Sequence, residues 1–260
     1  MTDRGSAGNP LWIAYEYVAM VLGLGMLALL CLLWLPCALI LKPLLPRRVG
    51  QPLGRAMISF GFRAYLRLLS LFCACRFDLH EIDQLRGRGS LIVAANHPSL
   101  LDAVMIVSRL PNAVCVMKAA LMDNLLFGAA ARLARYIRND VGLEMILNSR
   151  EELAQGAHLV IFPEGSRTLN FPVEACSPSV GLISGRSKTP VQTLLIEFST
   201  PYLGKAWPLF RRPSLPLRCR IRLGRSFPPP ANLQAFSAEL ETYFRSELGQ
   251  ESPANVAFAV

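Results

Sequence analysis

A long apolar run near the N-terminus constrains this chain more than any other feature of its sequence. No charged residue occurs from Tyr17 to Leu41, which is long enough for a helix to cross a hydrocarbon core of about 30 Å. A cleaved signal peptide has an apolar core of only about 7 to 15 residues after a basic segment, whereas Arg4 is the one basic residue before this run. The run therefore predicts a membrane segment.

Basic residues follow the run at Lys42, Arg47, Arg48 and Arg55. The positive-inside rule places that side of a spanning helix in the cytoplasm. Pro36 supports an alternative, because a proline can kink a helix or turn it into a re-entrant hairpin with both ends on the cytoplasmic side. We therefore predict a transmembrane or re-entrant helix over 11–41, with the rest of the chain on the cytoplasmic face.

A second apolar segment, over 56–75, is interrupted only by Arg63 and Arg67, which lie four residues apart on one helical face. This pattern favours an interfacial amphipathic helix, because the arginines can stay among lipid headgroups while the leucines dip inward. A core helix with a solvated face is the alternative. The proline-rich stretch 43–52 is interpreted as a connector. The predicted organisation is a membrane anchor over 1–75, a catalytic domain over 76–249 and a tail over 250–260.

The formal net charge of +9 over 260 residues suits an anionic partner, which could be nucleic acid or an acidic lipid surface. The membrane segment favours lipid, and the sequence has no zinc-ligand spacing, basic zipper or aromatic RNA-binding pattern. We therefore expect no nucleic-acid partner. The seven cysteines include no C-x-x-C pair, which favours buried thiols in a reducing compartment.

From about residue 76 the pattern becomes that of an α/β domain. Near-continuous apolar runs, typical of strands in a covered sheet, alternate with segments of helical character. The predicted strands are Phe77–Ile82, Leu91–Ala95, Ala113–Met117, Ala157–Phe162, Val191–Glu197 and an outer, half-buried strand Leu217–Leu223. Capping signals predict a helix that starts at Ser149 and stops at Gly156, one from Ser177 to Ser187, and one over 232–248. The fold class is thus a mixed, mostly parallel sheet flanked by helices.

His97, one of only three histidines, follows the strand Leu91–Ala95. Pro98 suits the first turn of a helix, which would place His97 at the N-cap and Asp102 a little over one turn further on. The Asp102 carboxylate could then orient the imidazole and leave the other nitrogen free to take a proton. Such a pair suits a substrate hydroxyl that attacks an acyl thioester directly. Ser99 and Cys176 are conceivable covalent nucleophiles, but neither stands in a G-x-S-x-G elbow.

A second motif, Phe162-Pro163-Glu164-Gly165-Ser166-Arg167-Thr168, follows another strand-like run. Gly165 permits close approach of the backbone, and Arg167 offers a planar fork for a phosphate group. Glu164 could accept a hydrogen bond from a substrate hydroxyl. A solvated turn is the alternative interpretation of this loop. Backbone N–H groups near the start of the His97 helix are candidate oxyanion donors.

Together the two motifs resemble the glycerolipid acyltransferases, typified by bacterial lysophosphatidic acid acyltransferase. Residues 96–102 match the N-H-x-S-x-x-D block of that family, and residues 162–168 match its F-P-E-G-[ST]-R block. The resemblance implies that His97 and Asp102 are catalytic and that the acceptor is held by a set of binding residues. These are Glu164, Gly165, Ser166 and Arg167, together with Asn96, Arg138 and Lys118.

The resemblance also implies an enzyme without metal or redox cofactor, at the inner membrane of a bacterium. It would transfer an acyl group from acyl-ACP or acyl-CoA to a lysolipid, with lysophosphatidic acid as the first candidate. The segment Ser179-Val180-Gly181 departs from the family, which commonly has a basic residue before that glycine. A lyso-aminolipid or a specialised lipid is therefore an alternative acceptor, and a non-catalytic lipid-binding protein of the same fold is an alternative function.

Overall fold

The computed structural model describes residues 9–208 and 211–249, so the predicted tail lies outside the described residues. The helices are α1 (Pro10–Leu44), α2 (Arg47–Phe72), α3 (Leu101–Arg109), α4 (Ala119–Asp123), α5 (Leu125–Leu133), α6 (Gly142–Ala154), α7 (Ser179–Ser187) and α8 (Leu233–Gly249), with a 3₁₀ helix at His80–Leu85. The strands are β1 (Cys75–Asp78), β2 (Leu91–Ala95), β3 (Ala113–Met117), β4 (Ile137–Arg138), β5 (His158–Ile161), β6 (Val191–Phe198) and β7 (Leu217–Phe227).

The strands form one sheet in the order β1-β7-β6-β2-β5-β3-β4. All neighbouring strands are parallel except β6 and β7, which are antiparallel. The predicted mixed, mostly parallel sheet flanked by helices is thus confirmed. Every residue of β2 is buried, as its continuous apolar run predicted for a strand covered on both faces.

Two apolar cores cover the two faces of the sheet, and β2 contributes to both. Val93 and Ala95 belong to the core formed with α2, α3 and the 3₁₀ helix. Ile92 and Ala94 belong to the core formed with α6, α7 and α8. Successive side chains of a strand point to opposite faces, so each half of the alternation fills one core. The two layers hold β2, and the loop that follows it, in a fixed position.

Two strand predictions are corrected by the structure. The predicted strand Phe77–Ile82 is instead the shorter β1, and the chain then turns into the 3₁₀ helix. The predicted outer strand Leu217–Leu223 is β7, which is longer and lies between β1 and β6. Its outward arginines pair with acidic side chains, as Arg220 does with Glu81 and Arg222 with Glu197. These ion pairs account for a polar face on an inner strand.

The predicted start of the helix at Ser149 is wrong, because α6 begins at Gly142 and Ser149 lies in its interior. The predicted stop at Gly156 is correct. Gly156 has a φ of 85°, and its N–H donates to Leu153 O at 3.0 Å while the next N–H, of Ala157, donates to Glu152 O at 3.1 Å. These two bonds form a Schellman motif, which requires the left-handed conformation that glycine adopts most readily.

The helix α1 is continuous through Pro36, so the chain does not form a hairpin there. The connector predicted over 43–52 is reduced to residues 45 and 46, and α2 contains Pro52 within its first turns. By length and composition, α1 is the one helix among the described residues that could cross a membrane. Soluble core helices and signal sequences can pass the same test.

A buried ion pair joins α2 to the domain. Arg55 Nη2 lies 2.5 Å from Glu152 Oε2, and both side chains are only 4% exposed. The same guanidinium donates to Ala134 O at 3.1 Å and to Asn112 Oδ1 at 2.9 Å. Gly54 permits this approach, since a Cβ there would lie 2.9 Å from Ala134 N. The predicted helix over 56–75 is thus the latter part of a longer helix that is docked at its N-terminal end.

Candidate active site

The two sequence motifs meet at one edge of the sheet. Strands β6, β2 and β5 are adjacent and parallel, so their carboxyl ends lie side by side. His97 lies in the loop after β2, Glu164 in the loop after β5, and Leu203 in the loop after β6. In open parallel sheets this edge is where ligands usually bind. The topology therefore brings the two motifs together although they are far apart in sequence.

His97 and Asp102 form a hydrogen-bonded pair, with 2.8 Å between Nδ1 and Oδ2. The same carboxylate oxygen accepts the N–H of Ser99 at 2.8 Å. The side chain of Asp102 is fully buried, whereas that of His97 is 17% exposed. No described residue forms a hydrogen bond with Nε2 of His97. One face of the pair is thus fixed, and the other imidazole nitrogen is available to a substrate.

The local structure around this pair differs from the prediction. The helix α3 begins at Leu101, with Leu100 at the N-cap, so His97 and Pro98 are not its N-cap and first residue. They lie in a loop, and Asp102 is in the first turn of α3. The five-residue spacing still joins the two side chains, because the loop folds back and the Ser99 N–H is bound by the carboxylate.

Burial raises the pKa of the Asp102 carboxyl above its usual value. Three interactions oppose this rise: the hydrogen bond and charge of His97, the N–H of Ser99, and the positive charge of Arg167. Each favours the ionised carboxylate. Arg167 is therefore electrostatically coupled to the His97–Asp102 pair as well as being a candidate ligand for the acceptor.

Phe162 stacks on the imidazole of His97, with 3.9 Å between ring centroids and an angle of 16° between the planes. The phenylalanine is buried and belongs to the second motif, but its role was not predicted. It restricts rotation of the imidazole about its side-chain bonds. A sequence signal for this contact was available, because Phe162 stands immediately before Pro163 and at the end of β5.

Glu164 holds the backbone of His97. Its Oε1 accepts the His97 N–H at 2.8 Å and the Thr168 hydroxyl at 2.9 Å, while its Oε2 accepts the Glu174 N–H at 2.9 Å. The Thr168 N–H in turn donates to His97 O at 2.7 Å. Burial raises the pKa of Glu164, and these hydrogen bonds oppose the rise. We call these contacts the His97 clamp. The sequence predicts that Glu164 accepts a hydrogen bond from a substrate hydroxyl, whereas in the structure it binds the His97 backbone. The contact of Thr168 was not predicted.

The turn between the clamp residues depends on Gly165. Its φ is 66°, in the region that glycine occupies at no steric cost, and its N–H donates to Phe162 O at 2.9 Å. Ser166 follows, and its hydroxyl oxygen accepts from Lys205 Nζ at 3.2 Å. Lys205 lies in the loop after β6, and its position beside the second motif was not predicted. It adds a cation beside the second motif.

Arg167 is held by the loop after β6. Its Nη1 donates to the carbonyls of Leu203 at 2.8 Å and of Gly204 at 2.7 Å. Burial lowers the pKa of the guanidinium, and the negative charge of Asp102 opposes that effect. No described residue forms a hydrogen bond with Nε or Nη2, so two of its three nitrogens keep free donors.

Asn96, which the resemblance assigned to substrate binding, has no free amide group. Its Nδ2 donates to Ile196 O at 2.9 Å, its Oδ1 accepts the Ile196 N–H at 2.8 Å, and the residue is 2% exposed. The two bonds tie the end of β2 to β6. In the structure Asn96 therefore positions the His97 loop.

Arg138 and Lys118 belong to β4 and to the segment that follows β3. Arg138 ends β4, the third strand from β2, which is a lateral separation of about 14 Å. Its guanidinium lies 2.5 Å from Asp123 and 2.7 Å from Asp140, and these hydrogen bonds raise its pKa. Lys118 is exposed at the N-cap of α4. No hydrogen bond or ion pair joins either residue to the His97–Asp102 pair within the described part of the chain, and their roles in acceptor binding stay predictions.

The backbone N–H groups expected to stabilise an oxyanion are already occupied. Besides those of His97 and Ser99, the N–H of Leu100 donates to Leu203 O at 3.1 Å, that of Leu101 to Ser99 Oγ at 3.2 Å, and that of Asp102 to Ser99 O at 3.5 Å. These N–H groups have acceptors in the structure, which therefore assigns no oxyanion donor among them.

The two protein nucleophiles considered from the sequence are poorly placed. Ser99 is 1% exposed, and its hydroxyl oxygen accepts the N–H of Leu101. Cys176 is buried, and burial is the main reason that its pKa rises to about 12, which leaves it protonated at neutral pH. The site is thus that of a candidate transferase, with a histidine, a buried carboxylate and a basic loop side by side.

Comparison with known proteins agrees with this class. Residues 76–197 match the family model described as Acyltransferase. This match agrees with the two sequence motifs, and the resemblance to the glycerolipid acyltransferases is confirmed.

The fold is shared with a solved structure, the 1-acyl-sn-glycerophosphate (LPA) acyltransferase PlsC from Thermotoga maritima. The TM-score is 0.64 and the sequence identity is 14%, over 91% of this chain and 99% of that chain. The search of curated proteins gave no match.

Proposed function

We propose that this acyltransferase moves a fatty acyl group from acyl-ACP or acyl-CoA to a hydroxyl of a lysolipid, with His97 as general base. The observation that carries the proposal is the His97–Asp102 pair, joined at 2.8 Å with Nε2 left free on a partly exposed ring. Lysophosphatidic acid, which would give phosphatidic acid, is the first candidate acceptor, because PlsC of the same fold is named for that substrate.

In the proposed reaction, His97 Nε2 takes the proton of the acceptor hydroxyl as its oxygen attacks the thioester carbonyl. The buried Asp102 carboxylate stabilises the imidazolium that forms and fixes its orientation. The tetrahedral intermediate then collapses, the carbon–sulfur bond breaks, and the departing thiolate receives the proton from His97. The products are the acylated lipid and a free thiol, and the enzyme returns to its starting state without a cofactor.

Arg167 is the proposed ligand for an acceptor phosphate. Its Nη1 is fixed by two carbonyls, so the guanidinium is oriented before substrate binds, and its remaining nitrogens can form charge-assisted hydrogen bonds. Lys205, held near the same loop through Ser166, can add a second positive charge. The Gly165 turn brings these groups to the loop that clamps His97.

An acceptor without a phosphomonoester, such as a lyso-aminolipid, is a second candidate. The observation that favours it is the state of Arg138, whose guanidinium is already paired with both Asp123 and Asp140. A phosphate bound there would have to replace two carboxylates. The site then has fewer free cations than the family motif implies.

We also propose that α1 attaches the enzyme to a membrane by lying in the plane of the bilayer surface. Near its N-terminal end, Glu16 pairs with Arg212 at 2.5 Å and accepts the Leu215 N–H at 3.0 Å. Near its other end, Ala38 packs with Ala129 and Leu133 of α5. These points are about 33 Å apart along the helix, which is about the thickness of a hydrocarbon core.

If a helix with both ends docked on one domain spanned the membrane, part of that domain would have to lie within the hydrocarbon core of the bilayer. The outer side of α1 is apolar, with Leu11 79%, Val21 63% and Leu33 67% exposed. Leu100, next to the catalytic loop, is 48% exposed, and Leu169, next to the second motif, is 57% exposed. An apolar surface that continues from α1 to the site would deliver a lipid acceptor directly to His97.

The test of activity uses purified protein, labelled acyl-ACP or acyl-CoA, and a panel of lysolipids analysed by mass spectrometry. His97→Ala is expected to lower turnover about 10²- to 10⁴-fold, while Glu239→Ala, on the exposed side of α8, serves as the matched control. Near-normal turnover in His97→Ala would refute the mechanism. Product from a lyso-aminolipid but not from lysophosphatidic acid would select the second acceptor.

The test of attachment compares cleavable tags at the two chain ends in sealed membrane vesicles. In-plane attachment predicts that both tags are cut from the same side. Cleavage of the two tags from opposite sides would show that α1 spans the membrane.

A further inference from the structure

A cavity of about 570 Å³ lies between α2, the segment that joins β1 to the 3₁₀ helix, and the end of α3. It shares no lining residue with the His97 site. The helix α3 begins beside that site at Leu101 and ends at Arg109, which lines the cavity, so the length of the helix, about 13 Å, separates the two. A volume of this size can hold a small ligand or a lipid headgroup.

The charged residues that line the cavity are mostly cationic. Arg63 and Arg67 of α2 line it together with Arg109, which is paired with Asp83. Arg63 donates only a long hydrogen bond, of 3.4 Å, to Ser59, and its Nε is buried without a partner. No described residue forms an ion pair with Arg63 or Arg67. A buried donor that lacks an acceptor is unfavourable, and an anion in the cavity would satisfy it.

The acidic residue in the lining is Asp78, and its charge is already shared. Its carboxylate lies 2.5 Å from His80 Nδ1 and 3.5 Å from Arg220 Nε. Asp78 therefore does not neutralise the two arginines of α2. The cavity keeps an excess of positive charge for a ligand.

The lining also has an apolar part, which continues onto the outer face of α2. Leu66, Phe77 and Leu79 form part of the wall, and Leu71 stands at the rim with 73% of its surface exposed. Phe60, on the same outer side of α2, is 61% exposed. An anionic group in the cavity could therefore be joined to hydrocarbon lying along α2.

We propose that this cavity binds the phosphate headgroup of an anionic phospholipid of the host membrane, at a site separate from that of acyl transfer. The proposal rests on the membrane attachment proposed above but not on the catalytic mechanism. The exposed apolar rim distinguishes a lipid from a water-soluble phosphate compound, because only a lipid would cover it. Binding there would fix the orientation of α2 at the surface and add affinity for anionic membranes.

The experiment measures flotation of the full chain with phosphatidylcholine vesicles, with and without phosphatidylglycerol. Phosphatidylglycerol is expected to increase partitioning of the wild type, and the double variant Arg63→Gln/Arg67→Gln should lose about tenfold or more of that increase. The matched control, Arg150→Gln/Arg186→Gln, removes the same charge from exposed positions on α6 and α7 and should lose less than about threefold. Equal losses in the two double variants would overturn the proposal.

A second variant separates a cavity site from general surface charge. Ser70 lines the cavity and its hydroxyl bonds only to Leu66 O, at 3.0 Å, so Ser70→Phe fills space without changing charge. It should lose the phosphatidylglycerol increment as the arginine variant does, while still binding phosphatidylcholine vesicles. If Ser70→Phe keeps the full increment, the cavity is not the site.

Three further outcomes would count against the headgroup site or against the membrane attachment on which it rests. Calorimetric binding of sn-glycerol 3-phosphate to the wild type but not to the arginine variant, without a phosphatidylglycerol increment, would identify a soluble ligand and overturn the lipid proposal. Failure of the wild type to bind any vesicle would refute membrane attachment itself. Binding to phosphatidylcholine without any increment would refute only the headgroup site.

Discussion

Replacing Glu164 by alanine tests whether this carboxylate positions the histidine base or binds the acceptor. The change removes the acceptor of two backbone N–H groups, those of His97 and Glu174, and of the Thr168 hydroxyl. The hydroxyl can rotate to another partner, but the two N–H groups cannot. At about 1–3 kcal/mol for each unsatisfied group, we expect the free energy of unfolding to fall by about 2–6 kcal/mol.

The kinetic consequence follows from the same contacts. Without the Glu164 carboxylate, the His97 backbone keeps only the bond from the Thr168 N–H to its carbonyl, and the imidazole loses part of what fixes its position relative to the acceptor. We expect kcat to fall about 10²-fold, as for a misplaced catalytic group, with a smaller change in the KM for the acceptor. Glu164→Gln keeps one oxygen acceptor and should be intermediate in both stability and kcat.

The assay combines thermal unfolding in detergent with steady-state kinetics at varied acceptor concentration, with Glu239→Ala as the control. If Glu164 instead binds a substrate hydroxyl, alanine would raise KM mainly and leave the unfolding transition near that of the wild type. A raised KM with unchanged stability would therefore refute the clamp.

Three further predictions concern stability. Arg55→Leu leaves Glu152 buried without its partner and should lower the free energy of chemical unfolding by about 3–5 kcal/mol. The double variant with Glu152→Leu should restore most of that loss. Equal instability of the single and double variants would contradict this. Gly54→Ala places a Cβ 2.9 Å from the backbone of Ala134 and should cost about 1–3 kcal/mol, which an unchanged unfolding midpoint would disprove. Burial lowers the pKa of His158, so the unfolded state binds its proton more readily, and wild-type stability should fall relative to His158→Leu as pH drops below about 6.5. A difference between those two proteins that does not vary with pH would exclude this effect.

The sequence predicted the His97–Asp102 contact because five residues separate the two side chains, and a local turn is enough to join them. It predicted that the second motif would lie at the end of a strand, because an apolar run precedes it. The sequence could not predict the partners of Glu164, since the bond to His97 spans 67 residues and exists only because β2 and β5 are neighbours. The same holds for Asn96, whose partner Ile196 is 100 residues away. Strand order, which the sequence did not provide, decided which motif residues hold the loop and which keep free donors.

The apolar run of α1 shows a different limit of sequence reasoning. Hydropathy measures how many apolar side chains a helix carries. Because α1 is apolar on nearly every side, hydropathy cannot distinguish a side of the helix that faces lipid from one that faces protein. Small residues carry that information. Ala19 and Gly23 lie one turn apart on the buried side of α1, and a Cβ at Gly23 would be 3.1 Å from Leu69 of α2. On α2, a Cβ at Gly61 would be 3.0 Å from Leu30 of α1. Small residues facing large ones across two helices let the backbones approach closely, and this pattern, rather than the length of the apolar run, is the signal that α1 packs along the domain.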